Sequence, residues 1–284
     1  MGKFTGILII SDFDGTFTSP NPESYRKNID EVERFKKDGG IFTFASGRDY
    51  HSFSSIEPDF VNIANAPVIM TNGARLYDIN TKKYILDYLL NLPLFSQILD
   101  IIYEKFPDTG IRLSCENGLV SPLLNEILKE DLADIFMRNI SVREMPVKEL
   151  IESKEKVFKC VMVHDPEKLD CVRDIAEDFN NANNRQFCFT RSYSRGLEAV
   201  NVNASKGASA VKLREYLNHR DKTEYKLFAI GDYDNDLDMI KLADYGAAPE
   251  NALEPVKESA KIHTVSCSDG AVADLIGIIG SEYI

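Results

Sequence analysis

Ile7-Leu8-Ile9-Ile10 is a short continuous apolar run, the pattern of a strand buried on both faces of a parallel sheet. It stops at Ser11-Asp12. Pro20 and Pro22 punctuate a loop, and Tyr25, Ile29, Val32 and Phe35 then recur at helical spacing until Gly39-Gly40 ends the helix. A second strand is predicted over Ile41 to Ala45, ending at Ser46-Gly47-Arg48, and a third over Pro67 to Met70, ending at Thr71-Asn72-Gly73. Strand, helix and strand with polar residues gathered at the strand C-termini predict an open α/β sheet that binds its ligand at those ends.

The pattern changes near residue 82. Tyr84 to Leu90 reads as a strand and Leu94 to Phe106 as a helix. Ile111 to Cys115 and Leu119-Val120 read as a hairpin around Glu116-Asn117-Gly118. A strand over Val157 to Val163, a helix over Pro166 to Phe179 and a strand over Gln186 to Thr190 complete an α+β unit. The α/β pattern then resumes with a helix from Lys206 to Leu217 and a strand from Leu227 to Ile230. Helices over Asn235 to Leu242 and Ala271 to Ile279 follow. One domain is therefore expected over residues 1–82 and 192–284, interrupted by a second over residues 83–191. Two chain crossings, near Lys82 and Arg191, would make hinge closure easy.

Two acidic groups stand at the strand ends of the first domain. Asp12-Phe13-Asp14-Gly15-Thr16 follows the first strand, and Gly15 permits the turn that would aim both aspartates at one crevice. Gly231-Asp232-Tyr233-Asp234-Asn235-Asp236 follows the strand at Leu227 to Ile230. If both strands are central, Asp12, Asp14, Asp232 and Asp236 converge, and such carboxylates repel one another unless a cation lies between them. Oxygen ligands without His or Cys select magnesium, Mg2+. Ser46 and the Gly47 amide, expected to open a helix, offer donors to an anion, and Lys206 in Ala204-Ser205-Lys206-Gly207 adds an ammonium. A cation site, an ammonium and a donor-rich turn describe a receptor for a phosphoryl group.

Composition narrows this reading. With 44% hydrophobic and 27% charged residues the chain is that of a globular protein able to bury a core. The net charge of −12 and the lack of any basic block argue against nucleic acid or an anionic membrane as partner. No apolar run approaches the ~18 residues of a membrane span. The five cysteines are odd in number and widely spaced, which fits reduced thiols and a cytoplasmic protein. Monomer and homodimer are both compatible with the sequence.

The segment Asp12 to Thr16 matches the DxDGT signature of the haloacid dehalogenase superfamily, and Ser46, Lys206 and Gly231 to Asp236 match its later motifs in order. Asn72-Gly73-Ala74, the GDxxND form of the last motif and Ser268-Asp269-Gly270-Ala271 resemble the Cof-type branch, dominated by sugar-phosphate phosphatases with a large α/β cap. The resemblance implies an α/β, Rossmann-like parallel sheet core with an inserted α+β cap domain, acting on a small phosphorylated substrate. It implies Asp12 as nucleophile and Asp14 as general acid and base. It gives magnesium to the Asp12 side chain, the Asp14 backbone carbonyl and Asp232, with Asp236 supporting the shell. Ser46, Gly47, Asn235 and Lys206 would bind the transferring phosphoryl oxygens. Cap candidates for substrate selection are the Arg112 to Ser121 loop, above all Glu116 and Asn117, and the Arg191 to Arg195 return. Asp234 and Asp238 are expected to be solvated, Arg48 to contact either the substrate or a structural partner. Gly246-Ala247-Ala248-Pro249-Glu250-Asn251-Ala252 departs from the usual pattern, with Pro249-Glu250 where Met-Gly is common.

Two other activities share these features. A phosphomutase would return the phosphoryl group to its substrate, and release of inorganic phosphate separates the two. A phospho-acceptor signalling module also uses Asp, Lys and magnesium, but it lacks an acid two residues after its acceptor and lacks a 100-residue insertion.

Overall fold

The computed structural model describes residues 2–137 and 141–284. They divide into two compact units, one formed by Met1–Gly47, Glu57–Leu86 and Ser205–Ile284, the other by Arg48–Ile56 and Asp87–Ala204.

The first unit is built on a five-stranded parallel sheet. Its strand order is Ile262–Thr264, Tyr245–Pro249, Lys226–Ile230, Ile7–Ser11 and Ile41–Phe44. The first strand in sequence thus lies between Lys226–Ile230 and Ile41–Phe44, paired in parallel with each. Central placement explains why Ile7–Ser11 is buried throughout and why its sequence is continuous rather than alternating. An Ala45 to Ile69 bridge carries the parallel run on to Val68–Met70, which also pairs antiparallel with Arg75–Asp78. Helices cover both faces of the sheet. Pro22–Lys37 and Ala271–Glu282 pack together, and Lys206–Asp221 packs on Leu237–Leu242.

One face of the sheet is aromatic. Phe13, Phe17, Phe42 and Phe44 are buried, with Phe44 meeting Phe13, Phe17 and Phe42 edge-on at 5.5, 4.9 and 5.1 Å. A fully buried Phe stabilises by about 1.5–3 kcal/mol. The segment carrying Asp12 and Asp14 is therefore pinned by Phe13 between them and by Phe17 beyond. This packing fixes the loop, with Asp12 buried and Asp14 exposed.

The second unit holds a six-stranded sheet in the order Phe187–Tyr193, Gly196–Asn201, Val157–Val163, Gly110–Cys115, Gly118–Ser121 and Val142–Glu144. All its neighbours are antiparallel except the last pair. Helices Leu92–Lys105 and Pro166–Ala182 cover one face through Phe95, Ile98, Leu169 and Val172. Helix Glu126–Met137 sets Leu128 and Leu132 against Leu119, Val161 and Val163 on the other. Among the described residues no helix is long and apolar enough to cross a membrane.

The main inserted span begins and ends later than the sequence pattern places it, at Leu86/Asp87 and Ala204/Ser205, and Arg48–Ile56 joins it through two further crossings. Lys83–Asp87 is a strand of the sheet that holds Arg75–Asp78. Gly196–Asn201 lies between Phe187–Tyr193 and Val157–Val163, so residues past 191 stay with the inserted unit. Ser46-Gly47 does not open a helix. The helix begins at Tyr50, where Asp49 accepts from the Ser52 and Phe53 amides.

Candidate active site

Asp12 is the first residue beyond the central strand, and its amide donates to the Ile230 carbonyl at 2.9 Å. That bond sets the Asp12 and Asp232 segments side by side. Gly15 has φ +78, and a Cβ there would lie 2.7 Å from an Asp232 carboxylate oxygen. The turn after Asp14 thus requires glycine twice, for its conformation and for its approach to Asp232. Thr16 donates its hydroxyl to Asp232 at 2.8 Å, orienting that carboxylate from the first motif. Gly231 is equally constrained, since a Cβ would meet Asp236 Cγ at 2.4 Å.

Lys206 is buried and donates to Asp12 Oδ1 at 2.6 Å and to Asp236 Oδ1 at 2.7 Å. The other Asp236 oxygen accepts from the Asp232 and Tyr233 amides, each at 3.1 Å. Asp236 therefore closes the turn that presents Asp232 and anchors the ammonium beside Asp12. Lys206 is itself placed by its helix. Ser205 caps it by accepting from the Ala208 amide, and Asp238 accepts from the Gly207 amide at 3.1 Å. Asp238 is thus half-buried rather than fully solvated, and it steadies the turn that carries Lys206.

Ser46 is buried, and its amide donates to the Ile69 carbonyl. Its carbonyl accepts from the Asn72 amide at 3.1 Å, and the Asn72 side chain accepts from Asn235 Nδ2, also at 3.1 Å. Ser46, Asn235 and Lys206 all belong to the first unit, as do Asp12, Asp14, Gly47, Asp232 and Asp236. Asp14 is exposed just beyond Asp12. Arg48 falls with the inserted unit, where it donates to Ser52 at 3.3 Å. Glu250 is exposed, while its neighbour Asn251 donates to the Gly15 carbonyl and accepts from the Cys267 amide. In the inserted unit, Glu116 pairs with Lys156, Arg112 with Asp131, Arg191 with Asp170 and Arg195 with Glu130.

Electrostatics single out this group. Burial, and after it the Asp236 carboxylate, push the Asp12 carboxyl well above its ordinary range, against the pull of Lys206. Burial and Asp236 likewise push Asp232 up to about 6. Burial alone would lower the Lys206 ammonium, but Asp12 and Asp236 outweigh it and hold it protonated. One ammonium thus faces three crowded carboxylates. Oxygens of Asp12, Asp232 and Asp236 lie within 4.8 Å of one another, all hard donors with no His or Cys among them. That donor set and its excess negative charge suit a divalent cation.

The sequence profile of the haloacid dehalogenase-like hydrolases matches residues 9–276. The chain belongs to this family. It is 22% identical to the 5-amino-6-(5-phospho-D-ribitylamino)uracil phosphatase YwtE of Bacillus subtilis, over 97% of this chain and 99% of the relative. The solved structure of TM0651 from Thermotoga maritima superposes with a TM-score of 0.73 at 26% identity, covering 95% of this chain and 96% of that one. The subclass IIB sugar phosphatase BT4131 shares the fold with a TM-score of 0.77 at 18% identity, over 96% and 99%. The chain is accordingly a haloacid dehalogenase-type phosphatase of the Cof kind, with the parallel-sheet core and separate cap sheet of its relatives.

Because Thr16 holds Asp232 from 216 residues away, Thr16→Val should loosen that carboxylate without disturbing the core. The apparent affinity for a divalent cation in a metal titration of activity should fall about tenfold, the scale of losing a group that orients a ligand. The melting temperature should move little.

Proposed function

We propose that the chain is a magnesium-dependent phosphatase of small phosphorylated metabolites, sugar phosphates above all, working through an aspartyl phosphate on Asp12. The observation that carries this reading is Lys206 held between Asp12 and Asp236, one fixed cation against a carboxylate cluster at the end of the central strand. The substrate class is drawn from the relatives: one is named for a phosphorylated ribityl compound, another as a sugar phosphatase.

Asp12 attacks phosphorus in line, and the bond to the leaving oxygen breaks as Asp14 gives that oxygen its proton. Asp14 then takes a proton from water, whose oxygen attacks the same phosphorus and breaks its bond to Asp12. Lys206 lies on Asp12 and offers its ammonium to the phosphoryl oxygens, with Ser46, the Gly47 amide and Asn235 as further donors. Thr16 holds Asp232, and Asp236 holds both Lys206 and the Asp232 turn. Asp12, Asp232 and the Asp14 carbonyl would hold the cation, with Asp236 behind them. When bound, the cation neutralises the carboxylates and phosphoryl oxygens that would otherwise repel.

Inorganic phosphate release should be seen from sugar phosphates in magnesium, should vanish in excess chelator, and should return on adding magnesium, with manganese a partial substitute. Unchanged rates in chelator would rule the metal out of the reaction. Transfer of the phosphoryl group to a second sugar hydroxyl, without phosphate release, would indicate the phosphomutase instead.

A further inference from the structure

Between the third core strand and its antiparallel partner the chain makes a turn that local preference does not explain. Thr71, Asn72 and Gly73 have φ of +55, +53 and +89, three successive residues in the left-handed region. Glycine enters that region freely and asparagine tolerates it, but a β-branched threonine there is a genuine outlier. Thr71 is also 1% exposed, and its hydroxyl has no hydrogen-bond partner among the described residues. Such strain persists only where surrounding structure over-determines it.

What surrounds the turn is the phosphoryl-binding machinery. The Asn72 amide donates to the Ser46 carbonyl, and Asn72 Oδ1 accepts from Asn235 Nδ2 at 3.1 Å. The Gly73 carbonyl accepts from Ser209 at 2.7 Å, and a Cβ on Gly73 would lie 2.2 Å from the Ser205 carbonyl, against the start of the helix that bears Lys206. One three-residue turn therefore touches all three elements that supply side-chain donors to the phosphoryl group. Asn72 is 2% exposed, and its contact with Asn235 joins residues 163 apart in sequence.

Building on the proposed phosphatase reaction, we infer that Asn72 is a positioning residue for phosphoryl binding. Its side-chain oxygen fixes one N–H of the Asn235 amide, so that the amide presents its other N–H in a set direction. Its backbone holds Ser46 in register with that amide. Ordering both donors before substrate arrives lowers the cost of binding the transferring group. Asn72 acts on the phosphoryl half of any substrate, so its loss is felt equally by every leaving group.

The test compares wild type, Asn72→Gly, Asn235→Ala and the double variant, using p-nitrophenyl phosphate, a sugar phosphate and orthovanadate. Glycine keeps the left-handed turn and removes only the side chain. Asn72→Gly should lower kcat/KM about tenfold for both substrates and weaken inhibition by orthovanadate by a similar factor, with the urea midpoint nearly unchanged. In the Asn235→Ala background it should cause little further loss, because the group it positions is gone. Independent, multiplying losses in the double variant, unaltered orthovanadate inhibition, or an unfolded Asn72→Gly would overturn the inference and leave the turn a structural feature. Wild type that releases no phosphate from any substrate would sink the phosphatase reading, and this inference with it. An active wild type with an indifferent Asn72→Gly sinks only the inference.

Discussion

Lys206→Met is expected to abolish turnover and to destabilise the protein by about 3–5 kcal/mol, the scale of breaking a buried ion pair from one side. The ammonium is buried and bonded to Asp12 and Asp236, and among the described residues no other cation pairs with either carboxylate. Methionine fills the space of the lysine stem but leaves two buried carboxylates facing one another. Chemical denaturation of the variant should therefore show the loss most clearly near neutral pH. Lowering the pH should restore part of it as Asp12, its carboxyl already pushed upward by burial, takes up a proton. The direction follows from the shift. A carboxyl whose folded value is raised costs stability in full above that value, and the cost fades as the pH falls from there toward its ordinary unfolded value. Equal loss at pH 5 and pH 8 would mean that the lysine stem, and not its charge, is what the core needs.

The second large effect is the reverse in sign for stability. Asp12→Asn should reduce turnover by about four orders of magnitude or more, as removal of a covalent nucleophile does. Yet it removes one buried like charge from the cluster while leaving Lys206 bonded to Asp236. The metal-free variant should thus melt at or above the wild-type temperature. Magnesium should raise the melting temperature of wild type more than that of the variant, because Asp12 is one of the three clustered carboxylates. A variant that keeps appreciable activity would remove Asp12 from the chemistry altogether.

The strand at Ile7–Ser11 and the two acidic turns were legible because a doubly covered parallel strand must be continuously apolar and must end on polar residues. The strand Tyr245–Pro249 carries no such signal. Its Gly246 lies under the Ile240 carbonyl, where a Cβ would come within 2.3 Å, so close packing selects small residues and erases the β-branched pattern. Gly196–Asn201 is masked differently. Glu198 interrupts it, a charge the strand buries beside Lys159, which pairs with it at 2.9 Å from the neighbouring strand. Helix Glu126–Met137 and the short helix Val147–Ser153 also have no counterpart in the sequence reading.

In the site, motif order put Asp12, Lys206, Asp232 and Asp236 in one cluster. The residues that hold them did not announce themselves. Thr16 reaches Asp232, Asn251 reaches the Gly15 carbonyl and Asn72 reaches Asn235 across 216, 236 and 163 residues. No local pattern encodes contacts of that range. Asp238 departs from the expectation because an acid on a short helix beside an acidic turn looks solvated, whereas its oxygen accepts the Gly207 amide.

The central claim is that the phosphoryl group passes through Asp12, and a rapid-quench experiment tests it most directly. Wild-type protein with magnesium should be mixed with a sugar phosphate or aryl phosphate carrying labelled phosphorus and stopped in acid within milliseconds. The account predicts protein-bound label that survives acid, is released by hydroxylamine and maps to the peptide containing Asp12, with none bound to Asp12→Asn. Full turnover with no label trapped on wild type, or label equally abundant on Asp12→Asn, would contradict it.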